Sequence, residues 1–200
     1  VATAAFVQFY LFVTTAFVAN ALVRDDNSGF APIVRATGVT DKQIVVGRFL
    51  GGLTIASIGY LGIPIGMFMG SLMPWVDPET IGPQRFEYYA WNFVIFGLPN
   101  IFLTSALLFG MATLTRSMMA SYVAAVVLVM GYLITASIVG QKIEYREMFA
   151  LWEPLGNGAI AEVTRYWTQT EMNNRLIPLD GVILNNRLIA IGLGLLFLAV

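Results

Sequence analysis

The chain has 200 residues, of which 58% are hydrophobic and 12% are charged, and its net charge is −1. Soluble domains carry about 25% charged residues, so this composition predicts an all-α polytopic membrane protein and gives no reason to expect nucleic-acid binding. Cysteine and histidine are absent, which excludes disulfides, thiolate chemistry, histidine triads and HExxH zinc sites from these residues.

Long runs without charge predict helical spans, because a helix needs about 20 apolar residues to cross the hydrocarbon core. Both ends of the chain lie inside such runs, which predicts that these residues are part of a longer protein. We expect one transmembrane domain over residues 1–200. Its visible spans are predicted at about residues 1–23, 49–73, 91–115, 117–140 and 188–200.

The first charged stretch, residues 24–48, separates the first two spans and contains a short predicted helix. Ser28 can act as its N-cap, and Pro32 falls in the first turn, where proline is tolerated. Three apolar residues follow an i, i+3, i+4 spacing and share one face. These residues are Phe30, Ile33 and Val34.

The same stretch also marks where the short helix ends and the next helix begins. Gly38 is placed to end the short helix in a left-handed conformation. Thr40 with Gln43 fits a capping box, which predicts a helix that runs from about Asp41 into the second span.

Small residues recur in the second span at four-residue spacing, as Gly62, Gly66 and Gly70. Such spacing lets a neighbouring helix approach closely. Packing within one subunit is the first interpretation, and a seam between two subunits is the alternative.

The third span carries Asn100 directly after Pro99. Its amide could bond to a neighbouring helix or to backbone that the proline frees. The alternative is that Asn100 lies on a substrate pathway. A short turn around Arg116 then leads into the fourth span, so the third and fourth spans must be antiparallel neighbours.

The long stretch 141–187 mixes charged residues with apolar runs and predicts three short helices. They lie near residues 145–152, near 159–167, and from Thr168, which forms a capping box with Glu171. The glutamates of this stretch, Glu153 among them, are expected on solvated faces. A last helix starts after Asp180, with Arg187 at its interfacial end.

Several chemical functions are disfavoured by what the sequence lacks. There is no GxxxxGK[ST] pattern for binding nucleotide phosphate, and no catalytic or metal-ligating cluster lies in the spans. No charge is expected deep in a span, whereas ion-coupled transporters usually keep one there. We therefore expect a scaffold or conduit that is not an enzyme by itself.

The layout resembles a known family. The segment ALVRDDNSGFAPIVRATGVTDKQIVVGRFLGGL, the charge-free spans after it and the long loop before the last span are similar to the type-two family of ABC transporter permeases, the exporter-like group. The segment WEPLGNGAIAEVTRYWTQTEMNNRLIPLDGVILNNRLIAIG resembles, more narrowly, bacterial permeases of this group that are associated with a zinc aminopeptidase-like domain.

The resemblance implies a permease unit of six helices in the bacterial inner membrane, with one span before Val1. It implies that residues 24–48 form a cytoplasmic coupling loop and that residues 141–187 are extracytoplasmic. The partners would be an ATP-binding cassette ATPase subunit, which carries the ATP and magnesium, and a second permease half or copy. The residues expected to meet the ATPase are Phe30, Ile33, Val34, Arg35, Asp41 and Lys42.

The charge bias agrees with this orientation, because basic residues are denser in the first charged stretch than in the long loop. Two other functions stay open. The chain could anchor a zinc aminopeptidase-like enzyme carried by another part of the protein, or it could be an ion-coupled secondary transporter.

Overall fold

The computed structural model describes residues 10–20, 28–29, 31–75, 85–139 and 143–199, and its regular elements in these ranges are helical. Four helices are long and apolar enough to cross a membrane, which confirms the predicted all-α fold of a helical membrane protein. In chain order the helices are α1 (Tyr10–Asn20), α2 (Ala31–Arg35), α3 (Asp41–Ser71), α4 (Phe86–Asn92), α5 (Leu98–Thr115), α6 (Met118–Ile138), α7 (Arg146–Trp152), α8 (Asn157–Val163), α9 (Gln169–Asn174) and α10 (Gly181–Ala199).

The long helices coincide with four of the predicted spans. A π-helical segment, Phe93–Gly97, joins α4 to α5, so that one helix runs continuously over Phe86–Thr115. Helix α3 has 31 residues. At about 1.5 Å per residue it exceeds the hydrocarbon core of about 30 Å. Of the first predicted span, residues 1–9 and 21–23 lie outside the described residues.

Local capping chemistry starts two helices as the sequence predicts. At α3, the Thr40 hydroxyl accepts a bond from the Gln43 N–H, and the Gln43 side chain accepts one from the Thr40 N–H. Thr168 and Glu171 form the same capping box at α9. Both partners lie within one turn, so the sequence alone sets the geometry.

The predicted ending of α2 is wrong. Gly38 is not among the glycines with positive φ in the described part of the chain. Instead, Thr37 donates to the Val34 carbonyl through its backbone N–H, at 3.1 Å, and through its hydroxyl, at 2.5 Å. A threonine side chain thus satisfies a carbonyl at the end of the helix, and no left-handed residue is needed.

Helix α5 is the centre of the bundle, since α3, α6 and α10 all pack on it. Helix α10 runs parallel to α5: Gly194 lies against Phe102, and Gly110 lies near Phe197 further along both helices. Helix α6 runs antiparallel to α5 after the turn at Arg116. The bundle therefore has an α2 end, with the start of α3 and the Arg116 turn, and an α7 end, with α7 to α9.

The π-helical segment shapes the α7 end of the bundle. The Leu98 N–H donates to the Phe93 carbonyl, which widens the turn just before Pro99, a residue that has no N–H to donate. A Cβ at Gly97 would lie 2.7 Å from the Tyr60 ring, so α3 and the π turn touch closely there. Phe96, in the same turn, packs on Ile183 of α10.

Candidate functional site

The residues predicted to meet an ATPase lie together at the α2 end, as far as the structure describes them. Ile33 is 57% exposed and Val34 is half-buried. Asp41 and Lys42 are exposed in the first turn of α3. For two more of the predicted residues, nothing can be placed: Phe30 and the side chain of Arg35 lie outside the described residues.

The glycines predicted to pack another helix lie on the outer face of α3. Gly62, Gly66 and Gly70 are exposed, and no described residue lies within 4 Å of a Cβ built at any of them. Gly52 and Gly59, by contrast, face Val18 and Tyr10 of α1. Both the packing of the three outer glycines and their role in a subunit seam stay predictions.

A second polar site lies inside the α7 end. We call it the polar junction: Asn100 on α5, Glu153 after α7, and Asn186 and Arg187 on α10. Asn100 is fully buried, and Glu153 and Arg187 are only 4% and 3% exposed. Buried polar groups in a bilayer-spanning bundle need internal partners, and each of these four side chains has them.

Asn186 ties α10 to the end of α7. Its Nδ2 donates to the carbonyls of Ala150, Leu151 and Glu153 at 3.0, 2.8 and 2.8 Å. The last carbonyls of a helix have no partner within that helix. The amide of Asn186 therefore caps α7 from a different element.

Arg187 joins α10 to α5 and to the segment between α7 and α8. Its Nη1 donates to Asn100 Oδ1 at 2.7 Å, its Nε donates to Asn186 Oδ1 at 3.0 Å, and its Nη2 lies 3.4 Å from the Pro154 carbonyl. The guanidinium also stands 5.1 Å from the centre of the Phe96 ring. Cation–π contact of this kind stabilises a charge that has lost its water.

Asn100 is fully engaged in the polar junction. Besides accepting from Arg187, it donates through Nδ2 to the Leu155 carbonyl at 2.8 Å. The bond with Arg187 is one to a neighbouring helix, as in the first interpretation, whereas the Leu155 carbonyl belongs to the link between α7 and α8. Its role on a substrate pathway stays a prediction.

Glu153 caps the start of α8. Its two carboxylate oxygens accept from the N–H groups of Leu155, at 2.8 Å, and Gly158, at 3.1 Å. Burial raises the pKa of this carboxyl, while the two backbone donors and the charge of Arg187 act in the opposite direction. An anion near a helix N-terminus is favoured by the helix dipole.

One sequence expectation is wrong at this site: Glu153 is buried rather than solvated, because the N–H groups of Leu155 and Gly158 satisfy its carboxylate. Arg187 lies in the first two turns of the last long helix, as expected, and its side chain is buried there. Its place at a membrane interface stays a prediction. The signal was the Asn185-Asn186-Arg187 triple, which stands inside a helix that starts at Gly181 and otherwise reads as apolar.

A cleft of about 530 Å³ opens beside the polar junction, between the end of α6 and α7. Its walls include Tyr132, Phe149 and Trp152, and Glu153 stands at its edge. The Tyr132 hydroxyl accepts a bond from Asn157 at 3.1 Å. This lining suits an apolar or amphipathic molecule better than a strongly charged one.

Comparisons with protein-family models, with curated proteins and with solved structures gave no match. In the part of the chain that the structure describes, no group of three acidic, histidine or cysteine side chains could hold a metal ion. What can be said of function therefore comes from the geometry and from the sequence pattern.

Proposed function

We propose that the chain is the transmembrane permease subunit of an ATP-driven ABC transporter, which moves a substrate across the bacterial inner membrane. ATP hydrolysis takes place on a separate ATPase subunit, which holds the ATP and magnesium. A second permease half or copy completes the pathway.

The observation that carries the proposal is a pair of exposed apolar side chains, one on α2 and one on the link between α2 and α3. Ile33 and Val39 are 57% and 47% exposed, on a segment that precedes the apolar part of α3. Single exposed apolar residues are common on proteins, so these two support a docking surface through their position. They stand beside Asp41 and Lys42, which are exposed in the first turn of α3.

The construction of this surface suits the transmission of movement. The Ala36 N–H donates to the Pro32 carbonyl at 3.0 Å, and Thr37 closes the last turn of α2. The capping box at Thr40 then starts α3 after only a short link. Because α3 is one continuous helix that is long enough to cross a membrane, it provides a path by which a shift of α2 would reach the α7 end. A partner drives this shift only if it contacts α2 differently in its two states.

The test is purification of the tagged full-length protein from its native membrane in mild detergent. We expect a subunit with a P-loop to copurify, with ATP hydrolysis that depends on it. Ile33→Asp places a charge on the exposed apolar face and should lower the amount of captured ATPase at least tenfold, without loss of the protein from the membrane.

The matched control is Met172→Asp, an exposed apolar position on α9 at the other end, which should leave the capture unchanged. We expect replacement of Phe30 or Arg35 to uncouple hydrolysis from transport as well. Full capture of the ATPase by Ile33→Asp would contradict the docking surface. A peptidase on the same chain with no copurifying ATPase would favour a membrane anchor instead.

A further inference from the structure

A large apolar groove lies on the side of the bundle near the α2 end. Its volume is about 1570 Å³, whereas small-molecule pockets measure roughly 300–1,000 Å³. Helices α3 and α6 form its walls, α5 lies between them and the end of α10 contributes to it. The groove opens toward the surroundings of the bundle, which are lipid for a protein of this class.

One wall of the groove is a regular stripe along α3. The lining residues follow a spacing of i, i+3, i+4, i+7 and i+8, which keeps them on one helix face. The stripe starts with a lysine and continues with apolar residues only. These residues are Lys42, Val45, Val46, Phe49 and Leu50.

The length of the groove corresponds to one leaflet of a bilayer. At a rise of about 1.5 Å per residue, the stripe from Lys42 to Leu50 is about 12 Å long, and the α6 wall from Ser117 to Leu128 is about 17 Å long. The hydrocarbon core is about 30 Å thick, so half of it is about 15 Å. A transmembrane helix would need a groove along the full thickness, so a lipid fits this groove better than a helix does.

Charge at the mouth of the groove favours an anion. Lys42 is exposed and lines the groove, and no acidic residue is among the described residues that line it. Asp41 is next to it in sequence but does not line the groove. Arg116 is exposed directly before Ser117, and the first turn of α6 carries no acidic residue. Basic pockets between helices at a membrane surface bind anionic headgroups.

We propose that this groove binds an anionic phospholipid of the leaflet at the α2 end. The acyl chains lie along α3 and α6, and the headgroup phosphate pairs with Lys42. The proposal requires only that the bundle lies in a membrane, and it does not depend on the ATP-driven transport proposed above.

Native mass spectrometry of the purified full-length protein tests the proposal, with phosphatidylglycerol and phosphatidylcholine of identical acyl chains as probes. The wild-type protein should retain phosphatidylglycerol preferentially. Lys42→Gln should reduce that preference about fivefold, as expected for one basic residue at a membrane surface. Ala120→Phe, which fills the groove from the α6 wall, should remove adducts of both lipids.

Two matched controls accompany these variants. Arg175→Gln removes an exposed charge at the α7 end, and Val126→Phe enlarges an exposed α6 residue that does not line the groove. Both should bind lipid as the wild type does. Equal retention of the two lipids, or an unchanged preference in Lys42→Gln, overturns the proposal. A dimer that Ala120→Phe dissociates, with no lipid adduct, shows that a second copy fills the groove and also overturns it.

Discussion

The side chain of Asn186 makes hydrogen bonds through both its nitrogen and its oxygen in the polar junction. Its nitrogen meets the carbonyl end of α7, and its oxygen accepts from the Arg187 guanidinium. Asn185 is also an asparagine, but because it is one residue earlier in the helix its side chain faces outward and is exposed. These two asparagines therefore separate the effect of the buried network from the effect of residue type.

We expect Asn186→Ala to destabilise the protein by about 1–3 kcal/mol, because buried carbonyls and part of a buried guanidinium lose their partners. Thermal unfolding in detergent, followed by tryptophan fluorescence, measures this loss as a lower Tm. Asn185→Ala is the control and should change the Tm little. Equal losses for the two variants would show that the contacts of Asn186 do not stabilise the fold.

Glu153 should give the protein a pH-dependent stability of definite sign. Burial raises the pKa of this carboxyl above its ordinary value of 4.5, so the folded protein binds more protons than the unfolded chain between the two values. Stability then falls as the pH rises from 4.5 through the folded pKa. Thermal unfolding as a function of pH measures this slope, and Glu153→Gln should flatten it.

Glu171 provides the opposite case on the same side of the bundle. Its hydrogen bonds to the Thr168 N–H and hydroxyl lower the pKa of the carboxyl. Its contribution to stability is therefore present above the unfolded pKa and is lost as the pH falls. If Glu153→Gln and Glu171→Gln changed the slope in the same direction, the assignment of burial as the main cause at Glu153 would be wrong.

At the scale of helices, the sequence predicted those features whose partners are close together. The capping boxes at Thr40 and Thr168 need only a residue three positions on, and both form. The four long helices follow from apolar length. The predicted ending of α2 at Gly38 was wrong at the same scale, because the N–H and hydroxyl of Thr37 close that turn on the Val34 carbonyl.

The polar junction could not be predicted in the same way. Arg187 and its partner Asn100 lie 87 positions apart, and Asn186 and the Glu153 carbonyl lie 33 apart. No periodicity in the sequence connects them. What brings them together is the parallel packing of α5 and α10, together with the π turn that directs Phe96 toward the guanidinium. The docking role of the residues on α2 was predicted from the resemblance of residues 24–48 to a permease coupling loop, and it stays a prediction.

At the scale of the whole molecule, the helix directions divide the chain between two ends. The start of α3 and the Arg116 turn share the α2 end, while α7, α8 and α9 share the other. Four of the described helices, α3, α5, α6 and α10, extend between these ends. If the bundle crosses a membrane, the two sets of residues face opposite compartments.

The absence of cysteine from the sequence makes this arrangement directly measurable. Single cysteines can be introduced at three exposed positions, as Gln43→Cys, Arg116→Cys and Tyr166→Cys. Their reactivity with a membrane-impermeant thiol reagent in intact cells should differ between the two ends of the bundle. Gln43→Cys and Arg116→Cys should react only after the membrane is opened, and Tyr166→Cys should react before. Labelling of Arg116→Cys and Tyr166→Cys from the same side would refute the helix directions.

The position of Arg187 also bears on how the protein is assembled during synthesis. A charge in an inserting helix is costly, up to about 2.5–3.5 kcal/mol at the helix centre on translocon scales. Arg187 is the seventh of the 19 residues of α10 and follows two asparagines. Two of its acceptors, Asn100 and the Pro154 carbonyl, lie on other elements that precede α10 in the chain and leave the ribosome first. We therefore expect the insertion of α10 to depend on the earlier helices as well as on its own hydrophobicity.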